Sequence, residues 1–136
     1  MAKLEGGGPM DEAVLEEILE LDGRIRYVAF GERQRVGIRE RAGLSNASAT
    51  ASDRFEELLV NPALVTLARQ RGEIDCGGLR HIVVAYGNFV QLVIPTVAGH
   101  VSIALENGTD AERIAELVAG VLARRAGARP SPEGAA

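Results

Sequence analysis

Few side chains in this 136-residue chain are suited to covalent or acid–base chemistry. There is one cysteine, Cys76, and there are two histidines, His81 and His100. A nucleophilic cysteine needs a positioned base and an environment that favours its thiolate. His81 lies five residues beyond Cys76, but a strand does not by itself bring the two together. His100 leads a strand on its polar side, where an imidazole could carry a proton near neutral pH. The simpler reading is an inert thiol and hydrogen-bonded or solvated strand histidines; a small enzyme using Cys76 or His100 is the minor alternative. One Cys excludes an internal disulfide, and one Cys with two His is a poor basis for a four-ligand zinc site. No Gly-rich loop leads into Lys-Ser/Thr, and no G-x-G-x-x-G opens a helix after a strand, so the known phosphate cradles are missing from the sequence. The paired carboxylates Glu16-Glu17 sit on the polar face of a helix. No catalytic, cofactor-binding or metal-binding set is expected.

Charge is more informative. Net charge is −4, which argues against a nucleic-acid footprint across the whole protein. The distribution is uneven: residues 11–22 hold six acids and no base, and residues 24–41 hold six arginines and two acids. Arg24, Arg26, Arg33, Arg35 and Arg39 could therefore present a charged surface to a partner, or balance the acidic helix nearby. Exposed ion pairs contribute little by themselves.

These residues must be held by a fold, and hydrophobic spacing predicts its elements. Val14, Leu15, Ile18 and Leu19 give a helix over Asp11–Leu21. Ile25–Phe30 and Arg35–Arg39 read as a hairpin across the polar turn 31–34, with an Arg-rich edge. Residues 42–51 read as a loop. Ser52 or Asp53 is expected to cap a helix from Arg54 to Val60. Asn61-Pro62 is expected to break or kink it before a second piece over Pro62–Gln70, closed near Gly72. After a connector at 73–78, Leu79–Tyr86, Phe89–Ile94 and His100–Glu106 form a meander through turns at Gly87-Asn88 and Ala98-Gly99. Val101, Ile103 and Leu105 alternate with His100, Ser102 and Glu106. Thr109-Asp110-Ala111-Glu112 then reads as a capping box for a helix ending near Arg125. Residues 1–9 read as a flexible leader without the apolar run of a signal peptide, 10–125 as the domain, and 126–136 as a disordered tail. No segment is apolar and long enough to span a membrane, and a cytoplasmic location is the default expectation.

The order α-β-β-α-β-β-β-α, with apolar residues on both sheet faces, predicts an α/β (α+β) domain with helices on both sides of a five-stranded antiparallel sheet. The stretch GLRHIVVAYGNFVQLVIPTVAGHVSIALENGTDAERIAELVAGVL, residues 78–122, resembles the roadblock/LC7 superfamily in its divergent prokaryotic members. The opening LEEILELDGRIRYVAFGERQRVG is compatible in order, although Glu32-Arg33-Gln34 stands where that family usually has a short Asp-Gly turn. The resemblance implies a profilin-like three-layer α/β/α sandwich. It also implies a homodimer built from the middle helix and the neighbouring strand edge, serving as a scaffold or as a platform for small Ras-like GTPases.

From the residues alone, Phe55, Leu58, Leu59 and Leu64 are candidates for a dimer or partner surface, since one bent helix cannot bury all its apolar residues equally, and Tyr86 at the end of a strand is a further candidate. The alternative function is a profilin/PAS-like sensing domain that holds a small molecule between sheet and helix.

Overall fold

Alternating apolar residues lay down five antiparallel strands, and the helices close on each side of them. The computed structural model describes residues 10–127. Its elements are α1 (Glu12–Leu19), β1 (Ile25–Glu32), β2 (Arg35–Glu40), α2 (Thr50–Phe55), a π-helical segment (Glu56–Val60), α3 (Asn61–Asp75), β3 (Ile82–Ala85), β4 (Val90–Pro95), β5 (Gly99–Leu105) and α4 (Ala111–Gly127). The strands lie in the order β2-β1-β5-β4-β3, all neighbours antiparallel. The first and last halves of the chain thus meet through β1 and β5 at the centre of the sheet.

Strand alternation sends one set of side chains to each face. Val28 and Phe30 of β1, Leu92 of β4 and Val101, Ile103 and Leu105 of β5 join Val14, Leu15, Ile18 and Leu19 of α1 and Ile114, Val118 and Val121 of α4 in one dry core. The other face carries Tyr27, Ala29, Gln91, His100, Ser102 and Ala104, covered by α2, the π segment and α3.

Local chemistry explains the element ends, several of which depart from expectation. Asp11 caps α1 by accepting the N–H of Val14 at 3.1 Å. The last carbonyls of that helix are taken by Arg41, whose guanidinium donates to Leu19 O at 2.7 Å and Asp22 O at 3.0 Å, and to Ile25 O at 2.7 Å. A cation at a helix C-terminus is favourable on both hydrogen-bond and dipole grounds.

The expected capping box at Thr109 does not form, and the N-cap shifts by one residue. Asp110 accepts the Arg113 N–H at 3.2 Å, while the Thr109 hydroxyl donates back to Glu106 O at 2.7 Å. Both residues are good caps, and the turn at Asn107-Gly108 favours the later one. α4 continues to Gly127, two residues into the expected tail. The leader, 1–9, and tail residues 128–136 lie outside the described residues.

The expected break at Asn61-Pro62 is absent. The chain is helical from Thr50 to Asp75, with Val60 and Asn61 both right-handed. Pro62 cannot donate to the preceding turn, so its place in a long helix has to be accommodated nearby. The wider π turn just before it does this, making room for the proline ring at the start of α3. Nor do Ser52 and Asp53 cap: the helix starts earlier, and Asp53 lies inside its first turns, accepting from the Ser48 hydroxyl at 2.6 Å.

Helix α3 also runs through Gly72 into the expected connector. Gly78 O passes 2.9 Å from where a Cβ on Gly72 would stand, and the Gly78 N–H donates to Gly72 O. The glycine marks a crossing of chains rather than a helix stop.

Candidate functional site

The helical layer over the second sheet face turns an unusual stripe inward. Asp53, Glu57, Asn61 and Val65 are all buried, each four residues from the last. In a regular α-helix a four-residue spacing drifts about 40° per step around the axis. The π segment 56–60 sits in the middle of this stripe, and its wider turn keeps polar side chains aimed at the sheet.

Glu57 is the hub. Its carboxyl group accepts from Ser102 Oγ at 2.6 Å and Asn61 Nδ2 at 3.1 Å and is hydrogen-bonded to His100 Nε2 at 2.7 Å, and its side chain is fully buried. Three polar side chains converging on one buried carboxyl group satisfy its hydrogen-bonding capacity. Gly31, opposite His100 in the β1–β5 ladder, makes room for the ring: a Cβ there would stand 2.5 Å from His100 Cε1. Beside the hub, the Tyr27 hydroxyl donates to Gln91 Oε1 at 3.3 Å. Burial pushes the Tyr27 phenol far up, and the charges of Glu57 and Asp53 add to this. Asn61 Oδ1 and Gln91 Nε2 are buried without a hydrogen-bond partner among the described residues.

Two further acids lie on the same layer. Burial raises the Asp53 carboxyl against the Ser48 hydrogen bond that lowers it, and burial also raises Glu56. Glu56 accepts from the Tyr86 hydroxyl at 3.1 Å, linking the helical layer to the end of β3. Tyr86 and Phe89 are 5.3 Å apart, centre to centre, and Phe89 continues the aromatic contact to Tyr27.

The candidate arginines are dispersed rather than gathered. Arg26 is buried and donates to Glu106 at 3.1 Å and to the carbonyls of Ser45 and Asn46. Arg39 reaches Glu12 and Glu16 of α1. Arg24 and Arg113 both reach Asp22, whose carboxyl is held below its ordinary range first by the Arg24 backbone N–H and then by Arg113. Arg35 bonds Glu32 at 3.0 Å and lies over the Phe30 ring. Arg33 stands exposed at the hairpin tip.

The apolar candidates fall differently. Phe55, Leu58, Leu59 and Tyr86 are exposed, Phe55 and Leu59 by more than half, and Leu64 is half-buried. Leu67 and Ile74 extend the exposed apolar set along α3. Val83 is exposed on β3, the end strand of the sheet.

The structure does not bring the suggested reactive groups together. Cys76 contacts Asp75 and Arg71, whereas His81 faces Glu112 at 3.4 Å. Ser102 bonds the Glu57 carboxylate, so it forms no Ser–His pair with His100. Among the described residues no cluster of His, Cys, Asp and Glu is arranged to hold a metal, and no helix is long and apolar enough to cross a membrane.

A three-layer α/β/α sandwich with this strand order defines the roadblock/LC7 fold, and comparison with solved structures agrees. The chain superposes on a roadblock/LC7 domain from Streptomyces avermitilis with a TM-score of 0.67 at 12% identity, covering 85% of this chain and 94% of that one. It also superposes on the gliding protein MglB of Thermus thermophilus (TM-score 0.60, 18% identity, 84% and 86% covered). MglC of Myxococcus xanthus follows at a TM-score of 0.51 and 7% identity, with 84% and 94% covered. No family model matches the sequence, and no curated protein matches it. The fold is therefore that of roadblock/LC7 domains, reached by a divergent sequence.

Proposed function

We propose that this chain is a cytoplasmic, non-enzymatic interaction module that works as a homodimer and docks or regulates a small Ras-like GTPase. The observation that carries the dimer is the character of the β3 edge. Ile82, Val83, Val84 and Ala85 form a terminal strand without a single charge. Edge strands of monomers are normally blunted by charge, proline, a bulge or shortness, and four-residue β3 has only the last. Beside this edge the α2–α3 layer exposes Phe55, Leu58, Leu59 and Leu67. A second copy applied across a two-fold axis would pair β3 with β3 and cover both sets at once. One of the solved neighbours is MglB in a tetrameric arrangement, which supports an associating module.

The GTPase partner is carried by the fold resemblance. Any effect on nucleotide hydrolysis would come from positioning the partner's own groups, because this chain gathers no nucleophile–base pair of its own among the described residues. The test has two parts. Light scattering should give twice the chain mass, and Val83→Lys, which puts a charge on the pairing edge, should give the monomer. The dimer should then bind a Ras-like GTPase from the same genome in one nucleotide state better than in the other. Equal binding of both states, or no binding, removes the GTPase assignment and leaves the dimer standing.

A further inference from the structure

A cleft of about 360 Å³ opens between α3, the β1–β2 turn and the β4–β5 turn. It has room for about a dozen water-sized groups, within the range of small-molecule sites. Leu58, Pro62 and Val65 make one wall apolar. The polar groups on it are mainly cationic: Arg33 and Arg35 from the hairpin, and Arg69 from α3. Glu32 also lines it, but its carboxylate is engaged by Arg35 at 3.0 Å and by the Met10 N–H at 3.3 Å. Arg33 and Arg69 form no ion pair with another described residue, in a protein where most other arginines do.

Two observations beyond charge point to a ligand. The first is His100, which lines the cleft although it is only 2% exposed. Its Nε2 is hydrogen-bonded to Glu57 at 2.7 Å, which holds the ring in one orientation at the floor of the cleft. The second is the hairpin tip. Arg33 and Gln34 both occupy the left-handed region, φ 51° and 74°. Such a two-residue turn strongly favours Asn-Gly. Bulky residues at φ > 0 are costly and cluster at functional sites. Here the strained turn holds an arginine at the cleft mouth.

We propose that this cleft binds a small-molecule oxyanion, a phosphate or carboxylate compound, between the Arg33 and Arg69 guanidiniums with the His100 ring at its floor. Planar guanidinium forks match both anion types. The proposal does not rest on the GTPase, and it shares Leu58 with the surface proposed for the dimer. It gives the alternative reading, a small molecule held between sheet and helix, a specific place and chemistry.

The test is an NMR titration of the full ¹⁵N-labelled chain with sodium phosphate, then citrate, against sodium chloride at matched ionic strength. The expected result is saturable shifts centred on Gly31, Gln34, Gly99 and the His100 ring. Losing charge-assisted hydrogen bonds of about 1.5–3 kcal/mol each should weaken binding at least about tenfold in Arg33→Gln/Arg69→Gln. Both side chains lie at the surface, so that variant should keep its fold, and Arg71→Gln, outside the cleft, should bind as the parent does. Shifts that chloride reproduces, that spread over the surface, or that survive the double substitution would overturn the site. A phosphoserine peptide bound much more tightly than free phosphate at the same amides would overturn the small-molecule assignment in favour of a partner's side chain.

Discussion

The two faces of the sheet solve the same burial problem by opposite means. The face under α1 and α4 is filled by aliphatic side chains and one phenylalanine. The face under α2 and α3 is closed by an acid, an imidazole, a hydroxyl and an amide, with Glu57 at their centre. Aliphatic packing is non-directional and tolerates adjustment. A buried carboxylate holding three donors fixes its helix in one position and fails badly when one member is lost. The polar layer also frees apolar residues for other work: with Asp53, Glu57 and Asn61 turned inward, Phe55, Leu58, Leu59 and Leu67 face out. One face supplies stability. The other sets the position of a helical layer whose outside is available to a partner.

The sharpest way to break this comparison is to remove the hub. Glu57→Leu should lower unfolding stability by about 3–5 kcal/mol, because His100, Ser102 and Asn61 are left buried without their acceptor. Denaturant melts with and without His100→Leu in the same chain would sharpen it further. If the network behaves as a unit, the double variant should recover part of the loss, since replacing both partners of a buried polar pair costs less than orphaning one. On the dry face, Leu15→Ala should cost about 2–5 kcal/mol, with no such recovery from a second substitution.

The alternation of β5, the meander turns and the apolar stripes of α1 and α4 were legible in the sequence because each obeys one local rule. The inner stripe of the middle helix was not. Asp53, Glu57 and Asn61 repeat every four residues and are polar, so they look like a solvated face. Only a partner layer carrying His100 and Ser102 makes them core, and that pairing joins residues more than 40 positions apart. The arginine-rich hairpin was legible as charge but not as contact: the acids that meet Arg39 belong to α1, and Arg26 is buried against Glu106 of the chain's other half. Arg41 escaped notice because capping a distant helix with a strand-end side chain leaves no spacing signal.

Smaller effects come from the hairpin and from titration. Arg33→Asn with Gln34→Gly should stabilise the fold by about 1–2 kcal/mol in thermal or denaturant melts, by relieving two left-handed residues, while weakening the proposed anion site. For Asp53 and Glu56 the folded carboxyl is raised above its unfolded value. Their contribution is full below the unfolded pKa, near 4, and is lost as pH rises through the higher folded value. The contribution of these two groups should therefore grow as pH falls through the raised folded value toward the unfolded one, and Asp53→Asn/Glu56→Gln should flatten that slope. Asp22, lowered by the Arg24 N–H and Arg113, acts in the opposite sense and loses its contribution only in stronger acid.

The outward face of the helical layer and the uncharged β3 edge together make the account's central claim, and light scattering on the purified chain at micromolar concentration tests it most directly. The parent should scatter as twice the chain mass, and Phe55→Asp/Val83→Lys as a folded monomer with a circular dichroism spectrum like the parent's. A parent that stays monomeric, or a dimer that survives both substitutions, would contradict it.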